Sequence, residues 1–176
     1  MKSGFVGLLI GAVGANVSPR NDEVYLQHSA GTATGTLPGG SPFAHCTGSS
    51  QPKDDVFQIS KLEMHPLAPR AGDYLYFTIT GKFSSSVSDA STILVEHTIT
   101  GHKGRSSFPF CDKVSDVEQN GNGTCPPEEG EAVIELLGWT TWDIPGTNYT
   151  FSYTANFPDG TGIFCVNGTV WVDGLA

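Results

Sequence analysis

The chain has 176 residues, and its 9 Lys and Arg against 18 Asp and Glu leave a formal net charge of -9. That balance lacks the basic stripe a phosphate backbone demands and the polybasic patch that holds a protein on anionic lipid, so nucleic acid is excluded as a partner. The length fits one domain, and the wealth of Gly, Pro, Ser and Thr points to a turn-rich, all-β composition.

Residues 1–15 carry Lys2 as their single charge, an apolar run from Phe5 to Val13 and a small-residue ending at Gly14-Ala15. This is the pattern of a secretory signal peptide, and the run is too short to span a bilayer. Residues 16–42, with Thr32-Ala33-Thr34-Gly35-Thr36 and Pro38-Gly39-Gly40-Ser41-Pro42, show little periodic hydrophobicity and are expected to form a flexible leader or propeptide. The folded domain is expected over 43–176. Sequons at Asn122, Asn148 and Asn167 fit a secreted glycoprotein. The 4 cysteines, Cys46, Cys111, Cys125 and Cys165, include no pair at the spacing of a metal knuckle. They imply two disulfides, for which three pairings are open.

A first strand starts at Val56-Phe57-Gln58-Ile59 and changes phase at Leu62 and Met64, which predicts a β-bulge near Ser60-Lys61. His65 opens a proline-bounded loop and reads as a turn residue. Leu75, Phe77, Ile79 and Phe83 form the inward set of a second strand, and Ile93, Val95, His97 and Ile99 that of a third. His97 is the odd member, either a polar contact for a buried headgroup or an imidazole satisfied by backbone. Phe108, Phe110 and Cys111 are expected to make a short fourth strand. The polar stretch between Cys111 and Cys125 reads as a solvated loop; its acidic residues lack the regular spacing of a calcium loop.

Val133, Leu137 and Trp139, interleaved with Ala132, Ile134 and Leu136, form an apolar run that suits a strand buried on both faces or bordering a cavity. Tyr149, Phe151, Tyr153, Ala155 and Phe157 alternate with polar residues, Pro158-Asp159-Gly160 turns the chain, and Ile163-Phe164-Cys165-Val166 leads it back. About seven short strands with turns between them and no convincing helix describe an immunoglobulin-like β-sandwich. No nucleophile elbow, phosphate loop, metal-binding helix or dinucleotide fingerprint occurs, so no catalytic residue, metal or cofactor is assigned.

The order of these segments resembles the MD-2-related lipid-recognition (ML) family, closest to its fungal phosphatidylglycerol/phosphatidylinositol transfer branch. The resemblance rests on Cys46, Asp55 to Ile59, the Pro66 to Gly72 loop, Phe110-Cys111-Asp112, Cys125-Pro126, Ile144-Pro145-Gly146 with Tyr149, and Ile163-Phe164-Cys165. It implies Cys46 paired with Cys165, Cys111 paired with Cys125, and a lipid cavity between the sheets. The sterol-binding branch has a further disulfide that this chain lacks, which favours phospholipid over sterol.

On that resemblance the cavity is expected to be lined by Leu75, Phe77, Ile79, Phe83, Ile93, Val95, Phe108, Phe110, Leu137, Tyr149, Phe151, Tyr153 and Val166, with Phe108, Pro126 and Pro127 at its rim touching the membrane briefly. The protein would be a monomeric carrier of phospholipid or sterol in a secreted or vacuolar/lysosomal space. The competing expectation is a solid-core adhesion or recognition sandwich built from the same strands, since inward apolar residues line a core and a cavity equally well.

Overall fold

A computed structural model of the chain describes residues 36–47, 52–119, 121, 123–142 and 145–175. The expected signal peptide, the first part of the leader and Asn122 lie outside the described residues. In chain order the elements are β1 (Phe43–His45), a 3-10 turn (Pro52–Asp54), β2 (Phe57–His65), β3 (Tyr74–Phe83), β4 (Thr92–Ile99), β5 (His102–Pro109), α1 (Phe110–Lys113), β6 (Val114–Glu118), β7 (Gly130–Trp139), β8 (Thr147–Asn156) and β9 (Gly162–Val172). They form two antiparallel sheets, ordered β1-β9-β8-β4-β5 and β2-β3-β7-β6. Facing each other across a common core, they make the immunoglobulin-like sandwich that the alternation predicts.

The strands with one strongly apolar phase lie where that phase places them. In β3, Leu75, Phe77, Ile79 and Phe83 are all buried while Tyr74, Tyr76 and Lys82 point out. In β8, Tyr149, Phe151, Tyr153 and Ala155 are buried, and the turn after it is closed by Phe157 N–H donating to the Thr161 carbonyl at 2.9 Å. The bulge in β2 falls between Ile59 and Lys61, which brings Leu62 and Met64 onto the same face as Phe57.

Four local expectations need correction. The described chain contains 9 strands, because β1 and β6 add to the expected set. Phe108, Phe110 and Cys111 do not share a strand: β5 ends at Pro109 and the next four residues make one helical turn. Proline lacks the N–H that a continuing ladder would use, and the chain turns there toward the other sheet. β7 is a central strand between β3 and β6, with Ala132, Ile134, Leu136 and Gly138 inward and Val133, Glu135 and Leu137 half-buried on the outside. Residues 36–42, which composition groups with the leader, carry sandwich contacts: Leu37 is buried and bonds through its N–H to the Phe43 carbonyl at 2.9 Å, and Leu62 N–H donates to the Pro38 carbonyl at 2.7 Å.

The disulfides are Cys46–Cys165 and Cys111–Cys125, the pairs that the resemblance implies. The first spans 119 residues of sequence and fastens the end of β1 to β9, where Cys46 N–H also donates to the Cys165 carbonyl at 3.1 Å. Thr154 Oγ1 lies 3.1 Å from Cys165 Sγ. Since Cys165 alternates with the inward Phe164 and Val166, the bridge sits on the outer side of its sheet rather than across the core.

Candidate functional site

Aromatic rings join the two sheets at two places: Phe57 of β2 meets Phe164 of β9 at 6.0 Å between ring centroids, and Phe77 gathers the larger cluster. Phe77 of β3 meets Phe43 of β1 at 5.1 Å between ring centroids, Tyr153 of β8 at 5.2 Å and Phe151 at 6.3 Å. Edge and tilted contacts of this kind suit the aromatic quadrupole and add to the burial of each ring. Of the expected lining, Leu75, Phe77, Ile79, Phe83, Ile93, Tyr149, Phe151, Tyr153 and Val166 are buried on the faces that look at each other, and Phe110 is buried in α1.

Away from Phe77 the sandwich is open on one side. Strand register puts Phe108, Ser106, Gly104 and His102 of β5 beside Ile93, Val95, His97 and Ile99 of β4, so all eight side-chain positions look toward the other sheet. Yet His102, Ser106 and Phe108 are exposed, and Val95, His97 and Ile99 are half-buried. The cause lies opposite them. β6 begins at Val114, paired with Leu136, so among the described residues no strand pairs with Leu137, Gly138 and Trp139 of β7 on that side. The inner face of β4 and β5 therefore overhangs a missing strand. His97 packs flat over Gly104, whose absent Cβ would stand 2.2 Å from the imidazole.

At the edge of this opening α1 brings Lys113 in. Its ammonium donates to the Leu137 carbonyl, occupying the place that a longer β6 would have filled, and lies 5.4 Å from the Phe108 ring centroid and 6.0 Å from that of Tyr153. Burial lowers the Lys113 pKa, because desolvation disfavours the charged ammonium. Among the described residues the ion pairs are Lys61 with Glu63 and Arg105 with Glu96, and neither involves Lys113.

The Tyr153 hydroxyl ends over Gly138, where an added Cβ would stand 2.8 Å from it. It is buried and has no hydrogen-bond partner among the described residues, and burial pushes its pKa up. Tyr149, by contrast, accepts from Thr141 N–H at 3.1 Å and shares a 2.7 Å bond with Thr141 Oγ1.

Two expected site residues, Leu137 and Pro127, lie elsewhere. Leu137 is paired with Tyr76 on the outer face of its sheet, half-buried and away from the interior; β7 is apolar in both phases, so the alternation alone could be read one residue out. Pro127 is buried, and its carbonyl accepts from Val87 N–H at 2.9 Å, which removes it from any rim. Pro126 is half-buried beside it. Phe108 does stand at the opening, on the inner side of β5.

The large exposed rings cluster instead at the end of β7. Tyr74 and Trp139 are direct cross-strand partners and are 59% and 64% exposed, and Trp142, at 67%, lies against Gly72. Trp139, like Leu137, points to the outer face of its sheet, at the end of β7 that extends beyond the pairing with β6. Asn148 is exposed opposite Trp171, and Asn167 is half-buried beside Ala44 of the edge strand.

The chain resembles known proteins at the level of family, of individual relatives and of solved structures. A family model, the ML domain, matches residues 40–172. The chain is 25% identical over 136 residues to a phosphatidylglycerol/phosphatidylinositol transfer protein of Pyricularia oryzae, covering 76% of this chain and 72% of the relative. It is 25% identical over 134 residues to the protein of that description from Aspergillus oryzae, covering 74% and 71%. Among solved structures, a Niemann-Pick type C2 protein from Japanese carpenter ant is similar with a TM-score of 0.47 at 12% identity, covering 74% of this chain and 98% of that one.

Proposed function

Because the chain belongs to the ML domain family, we propose that it is a lipid carrier, taking up phospholipid between its two sheets through the opening beside β5 and α1 and passing it between membranes. The observation that carries this reading is the uncovered inner face of β4 and β5, with half-buried Val95 and Ile99 next to the aromatic core. A solid-core sandwich has no reason to leave that face without a partner. The relatives described as phosphatidylglycerol/phosphatidylinositol transfer proteins support phospholipid as the cargo.

The energetics suit exchange. An acyl chain of about fourteen methylenes gains roughly 11 kcal/mol on leaving water, at about 0.8 kcal/mol each, but it already has that gain in a bilayer. The protein interior has only to match the membrane, so loading and unloading are both accessible. The two disulfides and the signal peptide expected at the N-terminus support a secreted or lumenal setting.

Contact with the bilayer falls to Tyr74, Trp139 and Trp142 rather than to the prolines. Tyr and Trp favour the level of the lipid headgroups, where an apolar ring and a polar tip are both served, and this needs no positive charge from a chain of net charge -9. The double variant Trp139→Ala, Trp142→Ala is expected to weaken sedimentation with phosphatidylcholine vesicles by roughly tenfold or more, since each large ring contributes of order 1.5–3 kcal/mol when buried. Its melting temperature should stay close to that of the parent. Unchanged sedimentation would move the membrane face elsewhere.

Native mass spectrometry of the purified protein tests the central reading. A lipid-sized added mass that organic extraction removes is the expected result. A protein that stays bare after incubation with phospholipid vesicles would favour the adhesion sandwich.

A further inference from the structure

Lys113 is the last Lys or Arg in the chain, and the 63 residues after it contain acids but no base. This cation is half-buried at the opening rather than spread on the surface, with one of its three donors used by the Leu137 carbonyl. Beside the same turn of β7 a second polar group lacks a partner. The Tyr153 side chain is 1% exposed, and its hydroxyl stands over Gly138, one residue from that carbonyl. Buried hydroxyls are normally hydrogen-bonded, because leaving one unpaired forfeits its hydration.

A half-buried ammonium with spare donors and an orphaned buried phenol therefore converge where the sheets part. Phe108 forms one wall. Nothing among the described residues supplies an anion to this point. We propose that Lys113 and Tyr153 form the headgroup subsite, the ammonium binding a phosphate oxygen of an anionic glycerophospholipid and the phenol donating to the same phosphate.

This rests on the lipid-carrier reading and adds to it a preference for charge. The acyl chains would lie toward Ile93, Val95 and the Phe77 cluster, and the phosphate would remain at the edge, where Lys113 meets it without the cost of full burial. A simpler role for Lys113 would be to occupy the unpaired Leu137 carbonyl alone. That role predicts no effect on which lipid is held.

The test uses the full-length protein and two probes with matched acyl chains, phosphatidylglycerol and diacylglycerol, each displacing a fluorescent acyl probe. The readout is the ratio of their affinities. The unaltered protein is expected to favour phosphatidylglycerol, and Lys113→Met to reduce that ratio by about 10- to 100-fold, the range of a charge-assisted hydrogen bond. Lys113→Arg should retain most of the preference, which shows that charge rather than packing is lost. Tyr153→Phe, which keeps the ring against Phe77, should lower the ratio by a few-fold without loss of thermal stability.

A ratio unaffected by Lys113→Met, while both lipids still bind, would overturn the subsite and leave the carrier reading standing. Binding of neither lipid would overturn both. Inorganic phosphate is included as a competitor: displacement of phosphatidylglycerol only at concentrations that screen charge generally is the expected result, whereas saturable binding of phosphate in the absence of lipid would overturn the headgroup assignment in favour of a free-anion site.

Discussion

Replacing Cys46 by serine together with Cys165 is expected to lower the unfolding free energy by about 4–5 kcal/mol, a drop of roughly 10–15 °C in melting temperature for a domain of this size. The size follows from the loop the bridge closes. Its ends are 119 residues apart, so nearly the whole sandwich lies inside it, and cutting it restores the entropy of that loop to the unfolded chain. There is a local reason as well. β1 is three residues long at the edge of its sheet, held to β9 by the pairs Phe43 with Gly168, Ala44 with Asn167 and His45 with Val166. Without the bridge, this short edge has little to hold it, and Phe43, fully buried against Phe77, would be released with it.

Comparing this variant with a Cys111→Ser, Cys125→Ser double variant separates the two reasons. The second bridge spans 14 residues and should cost about 3 kcal/mol in the chain-entropy model. Thermal unfolding followed by circular dichroism reads both. A larger loss from the short loop than from the long one would show that local geometry, not loop closure, governs stability here.

The parts of the fold that were legible in the sequence are those with sheet on both sides of the core. In β3 and β8 the buried inward residues are apolar or aromatic because they pack across the sandwich, and the period-two pattern records that burial. β5 was legible only at its Phe108 end, for the opposite reason. Its inward residues are His102, Gly104, Ser106 and Phe108, and only the last is a large apolar side chain, because the others overlook the opening. The part of β5 with the weakest strand signal, His102 to Ser107, therefore adjoins the candidate site.

β6 was lost among the polar and charged side chains of Ser115, Asp116 and Glu118, with Val114 and Val117 alone marking its buried side. Leu137 went to the wrong face since β7 is apolar in both phases, and only its pairing with Tyr76 resolves which phase turns inward. Lys113 left a trace that composition could have caught: an isolated cation, the last in an acidic chain, just after two aromatic residues and a cysteine. The disulfide partners were not derivable from spacing and came from the family resemblance.

Phe77→Ala is the second large effect, and it bears directly on what the interior is for. The ring is fully buried and touches Phe43, Phe151 and Tyr153 across the sandwich, so truncation is expected to cost about 3–5 kcal/mol, part of it lost transfer energy and part the void left behind. In a solid-core sandwich that loss is fixed, because a dry apolar void stays empty. In a carrier, the void adjoins the path of the acyl chain, and bound lipid can fill it.

The expected result is that the variant melts roughly 10 °C below the parent when stripped of lipid, and that added phosphatidylglycerol raises the variant's melting temperature by more than it raises the parent's. The inequality is the informative quantity. A ligand stabilises by the logarithm of its concentration over its dissociation constant, so a larger gain in the variant means tighter binding once the ring is gone. That outcome would identify Phe77 as a plug which the lipid must displace or pass. Equal gains would place the acyl chain away from Phe77, along Val95 and Ile99 at the opening. No gain in either protein would leave the Phe77 contacts as the centre of a closed core.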